Sequence, residues 1–254
     1  MIQFSANLGF LWTDRSLPEA IACAKRAGFA AVECHWPYDT PSEEVAQALR
    51  ETGLPMLGLN TLRGDVEAGD NGVAALPGRE ADARRFIEQA VEYATAIDCS
   101  NIHVMAGFTD KGAAAREAFI ENLTYACDLA RQHNKTILIE PLNWYDVPGY
   151  HLQTVEEAQT VLREVDAANL KIMFDCYHMQ IMGGDLLRRF KAAEQDVGHV
   201  QFAAVPDRGE PDSGEVNYSW LLREIAAAGF AKPFGAEYKP RLSTEEGLGW
   251  LAKF

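Results

Sequence analysis

Four short apolar runs in the second half of the chain each stop on a polar side chain, and this recurrence constrains the fold more than any other feature. Ile137-Leu138-Ile139 ends at Glu140, Ile172-Met173-Phe174 at Asp175, Val197-Gly198-His199-Val200 at Gln201, and Phe234-Gly235-Ala236 at Glu237. Runs of this length, rich in β-branched and aromatic residues, read as buried strands. Pro141, next to Glu140, bars a helical continuation.

Segments of helical period lie between these runs and in the first half as well. Ser16-Leu17-Pro18-Glu19 carries a helix-start signature, and the helix it opens is predicted to reach Ala27, where Gly28 stops it. Ala30–Cys34, Pro55–Asn60 and Asn101–Met105 read as further strands. Helices are predicted over Ser42–Thr52, Arg79–Ile97, Ala113–His133, from Thr154 onward, and over Gly184–Glu194, Tyr218–Ala228 and Thr244–Ala252. Strands and helices thus alternate about eight times with no Pro-, Ser- or charge-rich boundary. That pattern predicts one α/β domain over residues 1–254, a (β/α)8 TIM barrel rather than an open doubly wound sheet. The long Gly-rich loop Thr61–Gly78 follows a strand and is expected to act over the barrel mouth.

In a parallel barrel the strand ends converge on one mouth. A single acid there would read as a helix cap or a solvated rim group. Glu140, Asp175, Gln201 and Glu237 taken together read as an oxygen-only donor set for a hard divalent cation, Mg2+ or Mn2+. Side chains alternate along a strand, so an inward Glu140 brings Leu138 inward and turns Ile137 and Ile139 to the helices. By the same parity Asp175 goes with Met173, Gln201 with His199, and Glu237 with Gly235, which leaves space in the lumen. Facing Glu140 and Glu237 form a candidate catalytic pair: one takes a proton from carbon and the other returns one, with a cation stabilising the enediolate. Isomerisation or epimerisation follows.

Three further residues are candidates for substrate binding. His178, three residues past Asp175, is expected on the rim, where a histidine is commonly structural but here would polarise a substrate oxygen. Arg208, in the loop after Gln201, would ordinarily be solvated. In a chain of formal net charge -14, an anionic substrate needs a local cation, and Arg208 offers a bidentate carboxylate clamp, with Lys239 and Arg241 as alternatives. Trp36 and Tyr38 are read as rim packing, with a pocket wall or subunit contact as the other reading.

Strong acidity argues against nucleic acid and anionic membrane partners. No C-x-x-C pair occurs among Cys23, Cys34, Cys99, Cys127 and Cys176, which read as buried free thiols of a reducing compartment. With no secretion signal and no membrane-length apolar run, the expectation is a cytoplasmic protein. Association with further copies of the chain is left open. The phosphate-binding patterns G-x-G-x-x-G after the first strand and G-x-x-x-x-G-K are both missing.

Ile139-Glu140-Pro141-Leu142-Asn143, the segment from Asp175 to Gln180, Arg208-Gly209-Glu210-Pro211, Gly214-Glu215-Val216-Asn217-Tyr218 and Glu237-Tyr238-Lys239-Pro240 resemble the hydroxypyruvate isomerase family, one of the xylose-isomerase-like TIM barrels. Pro37-Tyr38-Asp39, Gly64-Asp65 and Pro77-Gly78-Arg79-Glu80 extend the likeness over nearly the whole chain. The resemblance implies interconversion of hydroxypyruvate and tartronate semialdehyde, or of a homologue such as 2-oxotetronate, through an enediolate. It also implies that Glu140 and Glu237 exchange protons and that the quartet Glu140, Asp175, Gln201 and Glu237 holds the metal. Two stretches depart from the family pattern, Asn60–Arg63 and Ala203–Asp207, and bear on substrate length and carboxylate contacts. Rival readings are a ketose 3-epimerase, a DNA repair nuclease of the endonuclease IV type, which would want a basic face and more than 6 His, and a noncatalytic binding protein.

Overall fold

In a computed structural model describing residues 2–254, eight parallel strands form a barrel. They are β1 (Phe4–Asn7), β2 (Ala31–Glu33), β3 (Gly58–Asn60), β4 (Asn101–His103), β5 (Thr136–Ile139), β6 (Leu170–Asp175), β7 (Val197–Phe202) and β8 (Phe234–Ala236). The hydrogen-bonded order is β2-β1-β8-β7-β6-β5-β4-β3. Backbone bonds close the ring between β2 and the approach to β3: Val32 N–H donates to Pro55 (3.0 Å), Leu57 N–H to Val32 (2.7 Å) and Cys34 N–H to Gly58 (3.0 Å).

The helices are α1 (Leu17–Ala27), α2 (Ser42–Thr52), α3 (Glu80–Ala96), α4 (Ala113–Gln132), α5 (Val155–Val165), α6 (Cys176–Met182), α7 (Leu186–Ala193), α8 (Tyr218–Ala227) and α9 (Thr244–Gly247). Their starts obey local chemistry. Ser16 N–H donates to the Glu19 carboxylate at 3.0 Å before α1, and Thr154 and Glu157 close a reciprocal box before α5. Gly28 ends α1 in the left-handed region, with φ 91°, where a side chain would be strained. The final predicted helix is shorter than expected, since Thr244–Ala252 divides into α9 and a 3-10 turn over Leu248–Ala252.

The strand parity places the core. Ile137, Ile139, Ile172, Phe174, Val200 and Phe202 face the helices and belong to the continuous apolar core. Each such side chain contributes about 1.5–3 kcal/mol by leaving water. Leu138 and Met173 point the other way and line the lumen. All five cysteines are buried. Among the described residues no helix is long and apolar enough to cross a membrane.

One expectation needs correction. The segment after Asp175 is no rim loop: it turns at once into α6, and His178 is buried at 1% exposure. The Asp175 side chain caps that helix by accepting the Tyr177 N–H at 2.8 Å. The loop Thr61–Gly78 is exposed over Asp65–Gly69 and anchored further along. Val73, Ala74 and Ala75 are buried, and Ala74 and Ala75 donate backbone hydrogen bonds to Met105 and Ala106.

Candidate active site

Above the Leu138 and Met173 layer the lumen holds a cavity of about 20 Å³, whose walls include Asn7, Glu33, His103, Glu140, Gln201 and Glu237. That volume suits one water-sized group. The polar walls come from the ends of six different strands, as parallel closure requires.

Glu140 is the least satisfied acid. Its Oε1 has no hydrogen-bond partner; His178 Nε2 lies 3.9 Å from it and His103 Nδ1 lies 3.7 Å from Oε2. Burial, with the charges of Glu237 and Asp175 added, pushes this carboxyl well above the ordinary range. Glu237 is the opposite. Its Oε1 accepts from Asn7 Nδ2 and lies 2.9 Å from His35 Nε2, and its Oε2 accepts from Arg208 Nη2 at 2.7 Å. Burial opposes ionisation there too, but Arg208 and His35 outweigh it and draw the carboxyl down to about 2.

Asp175 spends Oδ1 on the α6 cap, while Oδ2 is unpartnered, 3.6 Å from His178 Nε2 and 3.5 Å from Arg208 Nη2. Burial lifts its carboxyl to about 7 against the pull of Arg208. Gln201 donates its amide nitrogen to Glu33 at 3.0 Å, and its Oε1 has no partner.

His178 has a defined tautomer. Its Nδ1 accepts the Asn143 backbone N–H at 3.0 Å, so the neutral ring carries its proton on Nε2. Burial holds the ring neutral, with its pKa well below the usual value. Glu140, Asp175 and His178 bring potential ligand atoms within 4.8 Å of one another. With the proton on Nε2, however, His178 presents a donor to this space rather than a lone pair.

Arg208 is not the solvated group its loop position suggests. Its guanidinium lies 5.0 Å from the ring centroids of both Phe10 and Tyr177, a cation–π arrangement that holds it against Glu237. Its carbonyl accepts the Lys239 N–H at 2.7 Å. Lys239 itself is exposed, with Nζ 5.9 Å from the Phe10 ring centroid, so it stands at the rim. Arg241 is engaged elsewhere, bridging Asp207 and Glu210 and pinning the loop that carries Arg208. Trp36 and Tyr38 bind the backbone of Thr61 and Asn60, a rim-packing role. Trp36 also lines a separate cavity of about 280 Å³ that reaches His35.

Several contributors escaped the sequence reading. Asn7, His35, Asn143, Phe10 and Tyr177 lie at or just beyond strand ends, where nothing periodic marks them. His103 could have been found by parity along its strand. Both its ring nitrogens are unpartnered, and burial lowers its pKa to about 4.

Whether these residues suit a divalent cation can be judged from what they lack. Glu140 Oε1, Asp175 Oδ2 and Gln201 Oε1 are buried acceptors without donors, each costing about 1–3 kcal/mol if left so. Hard oxygen acceptors crowded with four buried acids (Glu33, Glu140, Asp175, Glu237) and one half-buried guanidinium fit a cation such as Mg2+ or Mn2+.

The chain matches, over residues 21–254, the family model described as Xylose isomerase-like TIM barrel. It is 42% identical to the 2-oxo-tetronate isomerase of Cupriavidus necator, covering 100% of this chain and 99% of the relative. It is 37% identical to the hydroxypyruvate isomerase of Escherichia coli, covering 99% and 98%. A crystal structure from Brucella melitensis, described as AP endonuclease, family 2, superposes with a TM-score of 0.96 at 40% identity over 100% of this chain and 99% of that one. On these grounds, and on its eight parallel strands, the chain belongs to the xylose isomerase-like TIM barrels and, among them, to the isomerases related to those named for hydroxypyruvate and 2-oxo-tetronate.

Proposed function

We propose that the protein interconverts a short 2-oxo-3-hydroxy acid and its 2-hydroxy-3-oxo isomer, hydroxypyruvate with tartronate semialdehyde or the four-carbon 2-oxotetronate pair, by proton transfer between adjacent carbons. One observation carries the reading: two buried glutamates line a single cavity in opposite hydrogen-bonding environments. Glu237 is held ionised by three donors, and Glu140, with none, favours its neutral form. Such a pair already supplies one proton acceptor and one proton donor.

In this mechanism Glu237 removes a proton from the hydroxyl-bearing carbon, electrons move into an enediolate, and Glu140 delivers its proton to the former carbonyl carbon. The hydroxyl proton passes from one substrate oxygen to the other. The reverse reaction exchanges the two roles. The His178 Nε2–H, placed between Glu140 and Asp175, donates to the oxygen on which charge develops. Arg208 binds the substrate carboxylate, and in turning toward it relaxes its grip on Glu237, which becomes a stronger base. Lys239 at the rim adds a second positive charge for the incoming anion. A divalent cation held by Glu140, Asp175, Gln201 and Glu237 would polarise the carbonyl and hydroxyl oxygens and stabilise the enediolate charge.

A coupled assay across hydroxypyruvate, 2-oxotetronate and ketohexoses, with and without chelator, tests this reading. Turnover confined to the acids and lost on chelation is expected. A preference for ketohexoses would replace the reading with a sugar epimerase. A nuclease reading of this chain has no support from charge, because its net of -14 opposes DNA binding.

A further inference from the structure

Glu33, at the end of β2, lies opposite Gln201 in the lumen and has no part in the proton transfer described above. Its Oε2 accepts from Gln201 Nε2 at 3.0 Å and lies 2.8 Å from His199 Nε2, and its Oε1 accepts from the Ser5 hydroxyl at 3.1 Å. An amide is nearly symmetric in shape, so a glutamine side chain can present either its oxygen or its nitrogen to a site. Both Glu33 oxygens serve as acceptors here, for Ser5 and for Gln201, so the amide nitrogen of Gln201 faces the acid. Its oxygen is thereby turned to the cavity, where it is buried and unpartnered.

We propose that Glu33 is a positioning residue that fixes the Gln201 amide with its oxygen toward the cation, an inference that rests on the metal reading above. Position 235 belongs to the same device. A Cβ there would meet Glu33 Oε1 at 2.2 Å and both Gln201 Cγ and His199 Nε2 at 2.8 Å, so the group can assemble only beside a glycine.

The test is the affinity of the protein for Mn2+, read from the free-ion signal by electron paramagnetic resonance without substrate. Glu33→Met removes the acceptor at similar volume, and affinity should fall by about 10–100-fold. Glu33→Gln removes the charge but keeps an acceptor oxygen for Gln201 while its new amide faces Ser5, and affinity should stay within about threefold of native. Adding Glu33→Met to Gln201→Met should cause no further loss. Gly235→Ala, which crowds the group without deleting a member, should also weaken binding and serves if Glu33→Met does not fold. Equal losses in both Glu33 variants, or a loss that adds to that of Gln201→Met, would show a charge effect and overturn the inference. If Gln201→Met binds Mn2+ as the native protein does, or the native protein binds none, the metal reading itself fails and the inference with it.

Discussion

The two faces of the same strands differ most at their carboxyl ends. Outward, Ile137, Ile139, Ile172 and Phe174 are apolar, buried and packed under helices; inward, one residue along, the chain carries Glu140 and Asp175, each with an unsatisfied oxygen. The period of two that separates the faces lets one set of backbone hydrogen bonds serve both. On the proposed function, stability resides on one side of the barrel wall and chemistry on the other, so changes on one face should leave the property of the other largely intact.

The strongest way to break that division is at the glutamates. Glu140→Gln and Glu237→Gln should each lower turnover by about 10²–10⁴-fold with unchanged circular dichroism. In D2O the two should part company: Glu140→Gln still exchanges the carbon-bound hydrogen of the hydroxy-ketone substrate, and Glu237→Gln does not. Near-normal turnover in either would remove the chemistry from the lumen. On the other face, Ile139→Ala should cost about 2–5 kcal/mol in urea unfolding, with the specific activity of the folded fraction within about twofold of native. A large loss of activity per folded molecule would show that the faces are coupled.

Arg208→Met sharpens the contrast within the lumen, and kcat/KM on the carboxylate substrate should fall about 100-fold. A smaller and opposite effect concerns stability. The Glu140 carboxyl is pushed above its free value of 4.5 by burial and by neighbouring acids, so the folded protein retains a proton that the unfolded chain releases. The native protein therefore loses stability as pH rises through 4.5 toward the folded value. Without metal, Glu140→Gln should melt a few degrees higher than native at pH 8, and the advantage should vanish near pH 4. A lower melting temperature at pH 8 would contradict the assigned direction.

Legibility from sequence followed the range of the interaction. Caps such as Ser16 with Glu19 lie within one helical turn, and strand parity lies within a few residues, so both were readable. The helix after Asp175 was not, because its cap is a side chain already assigned to the site. Arg208 was identified as a candidate but not as a half-buried group, since the Phe10 and Tyr177 rings beside it come from another loop and from α6. Glu33 falls within the predicted strand Ala30–Cys34, yet its pairing with His199 and Gln201 spans more than half the chain, and no local pattern reports that.

Arg208 also sits in an unusual backbone conformation, with φ 56°, a region glycine enters freely and other residues enter at a cost of about 1–3 kcal/mol. Local conformational preference would therefore favour losing the side chain at this corner, while the proposed handling of an anion inside an acidic protein requires keeping it. Selection for robustness alone would favour glycine at position 208, and an arginine persisting there across relatives would signal that catalysis, not folding, holds it in place.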